Sequence, residues 1–397
     1  MRILKSFASN AVVDGLDAYG EHTRAWQGVP SIEITRGGRL FCACTSGGIY
    51  EPDPRNYSVL QYSDDNGDTW SEVVLAIVSK PEERVRASDL ELWIAPDGAM
   101  WLFWCEIPYP DGLDLPTYEQ KVDMENDSEY HLLEGQARTY ACYCEDPDAE
   151  VLEFTEPKFM FGSIMRNKPF VTDSGRWLFP AWITSARPYY EFFYSDDGGR
   201  TVLPCQRIYG RADGRAFDEP NFYKMGDGRI AVVVRTTPPL YKRMFSSDDG
   251  YSWTAPEDFL PTSSQRPCTM NSQDGGAFMI MSIDKKARNG FKLMYSDDGL
   301  DFSQVMILDD RQRISYAEMV QGEDGALYII YDRERNNKVN KSLVTGRSEA
   351  AKEILFARIP KTAWENGIVT PDTVRARVIS KARIDELKNV YTEEKRW

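Results

Sequence analysis

Histidine is almost absent from this 397-residue chain, and so are long apolar runs. Only His22 and His131 occur, which argues against imidazole-based metal sites and Ser-His-Asp triads. No apolar stretch is long enough to span a membrane, and residues 1–14 lack a signal-peptide pattern. The sequence therefore predicts a protein with no membrane partner and no secretory leader.

Positive charge is also scarce. The 47 Lys and Arg residues against 62 Asp and Glu residues give a net charge of −15. Because a phosphate backbone requires a basic face, this balance argues against nucleic acid as a partner. A local cluster of arginines would still suit a small anion.

Cysteine is present, but in an odd number. Seven cysteines leave at least one thiol unpaired within the chain, and together with the missing leader they predict a reducing, cytoplasmic location. The pairs Cys42/Cys44 and Cys142/Cys144 lack the usual spacing of a zinc site, so we interpret them as alternate residues on one strand face. With no phosphate-binding Gly loop and no twelve-residue Ca²⁺ loop, no cofactor and no metal are predicted.

An acidic turn of the form S-x-D-x-G-x-T-W recurs along the chain. Asp accepts hydrogen bonds from nearby backbone N–H groups, Gly supplies a positive φ, and the final aromatic residue packs back on a sheet. Such self-similarity is typical of a repeat architecture. The copies, some of them degenerate, lie at 63–70, 195–202, 246–253 and 295–302.

A second repeat, a glycine turn followed by an apolar run, defines six units. Its turns lie at Gly38, Gly98, Gly175, Gly228, Gly276 and Gly325. The last four are about 50 residues apart, enough for four strands per unit. The pattern predicts an all-β, six-bladed β-propeller as a single domain over 1–397. An acidic inserted loop around 107–135, a strand at 354–359 and a C-terminal tail around 380–397 complete it.

The glycine turns also relate one residue of each unit to the others. Nine positions before each glycine stand Val29, Asp89, Arg166, Glu219, Pro267 and Tyr316. Pro267 follows Arg266, and seven positions after Gly228 stands Arg235. An acid, a base and a phenol at equivalent positions indicate a catalytic site. For any one of these groups alone, a structural role at a buried strand end is the favoured interpretation, whereas the set at equivalent positions favours function.

At these residues the chain resembles the sialidase superfamily with bacterial neuraminidase (Asp-box) repeats. The resemblance spans roughly residues 26–359 and implies Tyr316 as nucleophile, Glu219 as its base and Asp89 as acid/base. It implies that Arg235 and Arg288 bind a substrate carboxylate. One departure is Gly28-Val29-Pro30, where the family has Arg-Ile-Pro.

Other arginines are candidates for the missing place: Arg24, Arg55, Arg86 and Arg166. With Arg266, the cluster predicts a small carbohydrate or oligosaccharide partner. The leading hypothesis is a retaining exo-glycosidase that acts on a terminal, carboxylate-bearing sugar. Two alternatives remain open at this point. One is a polysaccharide or uronate lyase that uses the same Tyr and Arg groups, and the other is a non-catalytic glycan-binding propeller.

Overall fold

The computed structural model describes residues 3–5, 9–48, 51, 55–80, 85–108, 137–182, 189–209, 218–236, 240–263, 265–334, 352–374 and 376–382. Antiparallel sheets dominate, and the predicted six-bladed β-propeller is confirmed. The predicted strand near the C-terminus is confirmed as Glu353–Ile359. Nearly all of the predicted inserted loop and most of the tail lie outside the described residues, and the single domain stays a prediction.

The chain separates into two compact units. The first contains Met1–Gly162, Ile330–Phe356 and Arg377–Trp397, and the second contains Ser163–Ile329 and Ala357–Ala376. In the described residues, no helix is long and apolar enough to cross a bilayer.

The first two sheets run from the N-terminus. Sheet one has the order β1-β2-β6-β5-β4-β3, with β1 (Ile3–Lys5), β2 (Ser9–Val12), β3 (Gln27–Ile34), β4 (Leu40–Ser46), β5 (Tyr57–Ser63) and β6 (Leu75–Ser79). Short 3-10 helices at Leu16–Tyr19 and Glu21–Thr23 lead into β3. Sheet two has the order β10-β9-β8-β7, with β7 (Val85–Ile94), β8 (Met100–Pro108), β9 (Arg138–Cys144) and β10 (Lys158–Phe161).

Sheet three has the order β12-β13-β16-β17 and two short flanking ladders, β11-β14 and β15-β18. Its strands are β11 (Ile164–Met165), β12 (Phe170–Val171), β13 (Trp177–Phe179), β14 (Ala181–Trp182), β15 (Tyr189–Tyr190), β16 (Phe193–Ser195), β17 (Leu203–Pro204) and β18 (Ile208–Tyr209). Sheet four runs β19 (Asp218–Lys224), β20 (Ile230–Thr236), β21 (Leu240–Ser246) and β22 (Glu257–Pro261) in sequential order.

The last two sheets are also sequential. Sheet five contains β23 (Cys268–Asn271), β24 (Ala277–Ser282), β25 (Asn289–Ser296) and β26 (Gln304–Gln312). Sheet six contains β27 (Ile314–Gln321), β28 (Leu327–Arg333), β29 (Glu353–Ile359) and β30 (Arg377–Lys381), with helices α1 (Lys361–Glu365) and α2 (Pro371–Val374) before β30.

Alternation along the strands fills both faces of a blade. On β20, Val232 and Val234 pack in one core cluster, whereas Ala231 and Val233 pack in the neighbouring one. This follows from the two-residue period of a strand, which sends successive side chains to opposite faces. Cys142 and Cys144 obey the same rule and enter one apolar cluster. All seven cysteines are buried, and the described part of the chain shows no group of three metal-ligating side chains.

The acidic turn joins the third strand of a blade to the fourth. In sheet four, Ser246 Oγ donates to Asp248 Oδ1 at 2.8 Å and accepts from the Gly250 N–H at 2.9 Å. The Ser252 N–H closes the turn on Asp248 Oδ1 at 2.8 Å, and Trp253 stacks on Phe222. The turn therefore connects the two strands of the sheet that lie farthest from β19. It serves as scaffold.

The glycine turn joins the first strand of a blade to the second, with the glycine N–H donating to the carbonyl three residues before it. Gly228 donates to Met225 O at 3.0 Å. In sheet five this role falls to Gly275, which donates to Ser272 O at 3.2 Å, and not to Gly276. The residue equivalent to Glu219 in that blade is consequently Arg266, one position before the predicted Pro267.

Candidate active site

A backbone irregularity marks the equivalent position in several blades. In the second unit Glu219 has φ 53° and Tyr316 has φ 54°, and in the first unit Val29 has φ 50° and Asp89 has φ 60°. The pairing of β19 with β20 shifts register between Asp218 and Asn221, so Glu219 sits in a bulge. A non-glycine residue in the left-handed region costs about 1–3 kcal/mol and is over-represented at functional sites.

Glu219 is the centre of a hydrogen-bonded cluster in the second unit. Its side chain is fully buried. Oε1 accepts from the Tyr316 hydroxyl at 2.7 Å and from Arg166 Nη1 at 3.2 Å, and Oε2 accepts from Arg235 Nη1 at 2.6 Å. Arg235 Nη1 also lies 3.5 Å from the Tyr316 hydroxyl. Chain segments from three different blades thus meet on one carboxylate.

The charges around Glu219 decide its ionisation. Burial by itself raises the pKa of this carboxyl, because a dry interior disfavours the charged form. The guanidinium groups of Arg235 and Arg166, the Tyr316 hydroxyl and Arg266 outweigh burial and hold the pKa below its ordinary value. Glu219 is therefore an ionised hydrogen-bond acceptor for the phenol at neutral pH.

Two further arginines flank the Tyr316 ring. The guanidinium carbons of Arg266 and Arg288 each lie 5.6 Å from the ring centroid. The Arg266 side chain is fully buried and bonds the carbonyls of Arg166 and Ala317 and the carboxylate of Glu318. Arg288 is half-buried. Of the two, Arg288 is the better placed to meet a ligand, whereas the hydrogen bonds of Arg266 favour a role in the scaffold.

Asp89 occupies a different environment in the first unit. Its side chain is buried, its N–H donates to Thr45 Oγ1 at 3.0 Å, and Ser88 Oγ donates to Oδ2 at 3.2 Å. Arg86 Nη2 lies 3.9 Å from Oδ2, while Arg86 Nη1 pairs with Glu51 at 2.8 Å. Arg86 is thus bound mainly to Glu51, and this divides its charge between two carboxylates.

Gly28 occupies the position where the resemblance implies an arginine, and it is buried on β3. Gly28 pairs with Thr45 across β3 and β4. Among the predicted replacements in the same unit, Arg24 is buried and donates to Tyr19 O and Ser380 Oγ, each at 3.2 Å. Arg55 is buried as well. Arg166 belongs to the other unit and bonds Glu219.

The structure adds residues that no sequence pattern pointed out. Asn167 Nδ2 donates to the carbonyls of Glu219 at 3.1 Å and Pro220 at 2.8 Å. Lys168 pairs with Glu318 at 3.0 Å, next to Arg266. The only local sign of them is that three polar residues, Arg166-Asn167-Lys168, follow the short apolar strand Ile164–Met165.

Residues 147–329 match a family model described as a BNR repeat-like domain. A search of curated protein sequences found no match to this chain.

Solved structures share the fold. An intramolecular trans-sialidase from Ruminococcus gnavus superposes with a TM-score of 0.64 at 14% identity, covering 90% of this chain and 97% of that one. A protein of unknown function from Dyadobacter fermentans gives a TM-score of 0.63 at 16% identity, covering 90% and 99%.

The NanB sialidase from Streptococcus pneumoniae gives a TM-score of 0.60 at 15% identity. Coverage there is 79% of this chain, which spans only 66% of the NanB chain. The fold is thus that of a sialidase-type β-propeller. The likeness to the BNR repeat-like family is confined to residues 147–329.

Proposed function

We propose that this protein is a sialidase-like, retaining exo-glycosidase that removes a terminal, carboxylate-bearing sugar from a glycan. The observation that carries the proposal is the hydrogen bond of 2.7 Å from the Tyr316 hydroxyl to the buried Glu219 carboxylate. Tyrosine is a weak nucleophile alone and needs an adjacent base, and some glycosidases use it in place of a second carboxylate.

In the proposed mechanism, Tyr316 Oη attacks the anomeric carbon while its proton passes to Glu219 Oε1. Asp89 donates a proton to the leaving oxygen as the glycosidic bond breaks. Water then attacks the anomeric carbon of the glycosyl–tyrosine intermediate and gives a proton to Asp89. The Tyr316 ether bond breaks, and Glu219 returns the proton to the phenolate.

The charge around Tyr316 supports an anionic sugar as the substrate. Arg235 retains a side-chain exposure of 20% although it binds Glu219, and Arg288 is half-buried. Guanidinium groups bind carboxylates through two parallel hydrogen bonds. A neutral phenol also approaches an anionic sugar without the repulsion that a carboxylate nucleophile would meet.

The test is a screen of aryl glycosides of sialic acids, uronic acids and neutral sugars, with Tyr316→Phe and Glu219→Gln as companions. We expect turnover of a carboxylate-bearing glycoside and a loss of about 10²–10⁴-fold in each variant. Turnover that survives in both variants would eliminate this mechanism. An unsaturated product in place of a reducing sugar would identify a lyase.

Gly28 favours a second candidate, a non-catalytic glycan-binding propeller. Without an arginine at this position, a ligand carboxylate loses one charge-assisted hydrogen bond, worth about 1.5–3 kcal/mol. Such a protein would bind glycans, retain binding in Glu219→Gln and hydrolyse none of the glycosides in the screen.

A further inference from the structure

Two consecutive residues in the second unit hold the Glu219 segment from one side. Arg166 Nη1 donates to Glu219 Oε1 at 3.2 Å. Asn167 Nδ2 donates to the main-chain carbonyls of Glu219 and Pro220. All of these donors are on buried residues. One dipeptide therefore contacts both the side chain and the backbone of the proposed base.

The backbone of Glu219 needs this support. Its φ of 53° is unfavourable for a residue with a Cβ, and the register shift between Asp218 and Asn221 removes regular ladder partners at the bulge. A buried carbonyl without a partner costs free energy. The amide of Asn167 supplies donors at this position and so stabilises the conformation that presents Glu219 Oε1 to Tyr316.

Arg166 is held more firmly than the second arginine on the same carboxylate. Its backbone carbonyl accepts a hydrogen bond from Arg266 Nη1, and its guanidinium carbon lies 5.5 Å from the centroid of the Trp182 ring. The Arg166 side chain is 10% exposed, against 20% for Arg235. Arg166 is thus suited to stay on Glu219 while Arg235 contacts a ligand.

We propose that Arg166 and Asn167 are positioning residues, which keep Glu219 ionised and aimed at Tyr316 while Arg235 is engaged by substrate. The catalytic meaning of this role rests on the proposed function. The physical coupling between Arg166 and Glu219 does not, and it is measured separately.

A double-mutant cycle on the full chain tests the coupling without any substrate. Urea unfolding at pH 7 is measured for wild type, Arg166→Gln, Glu219→Gln and the double variant. We expect Arg166→Gln to change the unfolding equilibrium constant about tenfold more in the wild-type background than in the Glu219→Gln background. The control is Arg229→Gln, which removes a partly exposed arginine paired with Asp227 and is expected to act equally in both backgrounds.

Equal effects of Arg166→Gln in the two backgrounds would overturn the proposal, whether or not the wild-type protein hydrolyses a glycoside. Absence of wild-type turnover in the screen, by contrast, refutes only the proposed function.

Kinetics then separate positioning from simple loss of structure. In Arg166→Gln the pKa of Glu219 rises towards its ordinary value, because a nearby cation is lost. We expect the acid limb of the kcat/KM profile to move to higher pH, with partial rescue by Arg166→Lys. For Asn167→Ala we expect kcat to fall roughly tenfold or more with KM nearly unchanged. A rise in KM alone for Arg166→Gln would show a substrate-binding role and contradict the proposal.

Discussion

The hydroxyl of Tyr316 donates to Glu219 Oε1 at 2.7 Å, and both residues have a left-handed backbone. A bulge at Glu219 turns its side chain out of the regular alternation of β19. Because the two residues are 97 positions apart in the chain, only the packing of the blades brings them together.

Glu219→Gln should lower the free energy of unfolding at pH 7 by about 3–5 kcal/mol, because it leaves buried guanidinium groups without their counter-ion. The pKa of Glu219 is held below the ordinary value of 4.5. Its contribution is therefore fully present above that pH and is lost as the pH falls through the folded-state pKa. Urea unfolding at pH 7 and at lower pH should show the difference from wild type narrowing. A constant difference would contradict the ionised state assigned to Glu219.

Asp89→Asn should affect substrates according to their leaving groups. A natural glycan needs a proton on its leaving oxygen, so we expect kcat/KM to fall about 10²–10⁴-fold. The acidic phenol of an activated aryl glycoside departs without that proton. We therefore expect a much smaller fall in kcat/KM on such a substrate. Steady-state rates on both substrates measure the contrast. The same loss on both would exclude Asp89 as the acid.

Arg288→Gln should weaken the binding of a sugar carboxylate. Loss of a charge-assisted hydrogen bond of about 1.5–3 kcal/mol corresponds to an affinity weaker by about 10- to 150-fold. Calorimetric titration with a free carboxylate sugar and with its methyl ester separates charge from shape. We expect the loss for the acid only, and Arg229→Gln provides the matched control. Equal losses of affinity for the acid and the ester would show that Arg288 does not bind the carboxylate.

Two glycine turns of similar φ form a matched pair. Gly228 has φ 87° and open space around an added Cβ, whereas Gly250 has φ 81° and an added Cβ 2.3 Å from Leu178 Cδ1. Gly228→Ala should cost about 1–2 kcal/mol from backbone strain alone. Gly250→Ala should cost about 1–3 kcal/mol more from overpacking. Urea unfolding compares them, and equal costs would mean that Leu178 moves aside freely.

Much of the fold could be predicted from local sequence. Asp-Gly and Gly turns specify hairpins through the φ of one residue. The acidic turn at Ser246 and Asp248 forms its hydrogen bonds within a few positions of the chain. The assignment of the fifth turn was wrong by one residue, because two glycines are adjacent and only the hydrogen bond of Gly275 distinguishes them.

Part of the candidate site could be predicted from the sequence. Glu219, Tyr316 and Arg166 could be selected because they stand at equal distances from repeated turns. The supporting role of Asn167 could not, because its partners are carbonyl groups of a bulge more than fifty positions away.

The sequence by itself determined the number of blades, the turns and the set of charged residues, since each depends on short-range periodicity or on turn chemistry. Tertiary structure alone decided how those charges are paired. Four arginines were candidates for substrate in the second unit, and packing divides them among different tasks. Arg266 is fully buried against carbonyls and Glu318, Arg166 is held on Glu219, and Arg235 and Arg288 retain exposure. Burial and long-range hydrogen bonds set these differences, and neither is encoded in the spacing of residues along the chain.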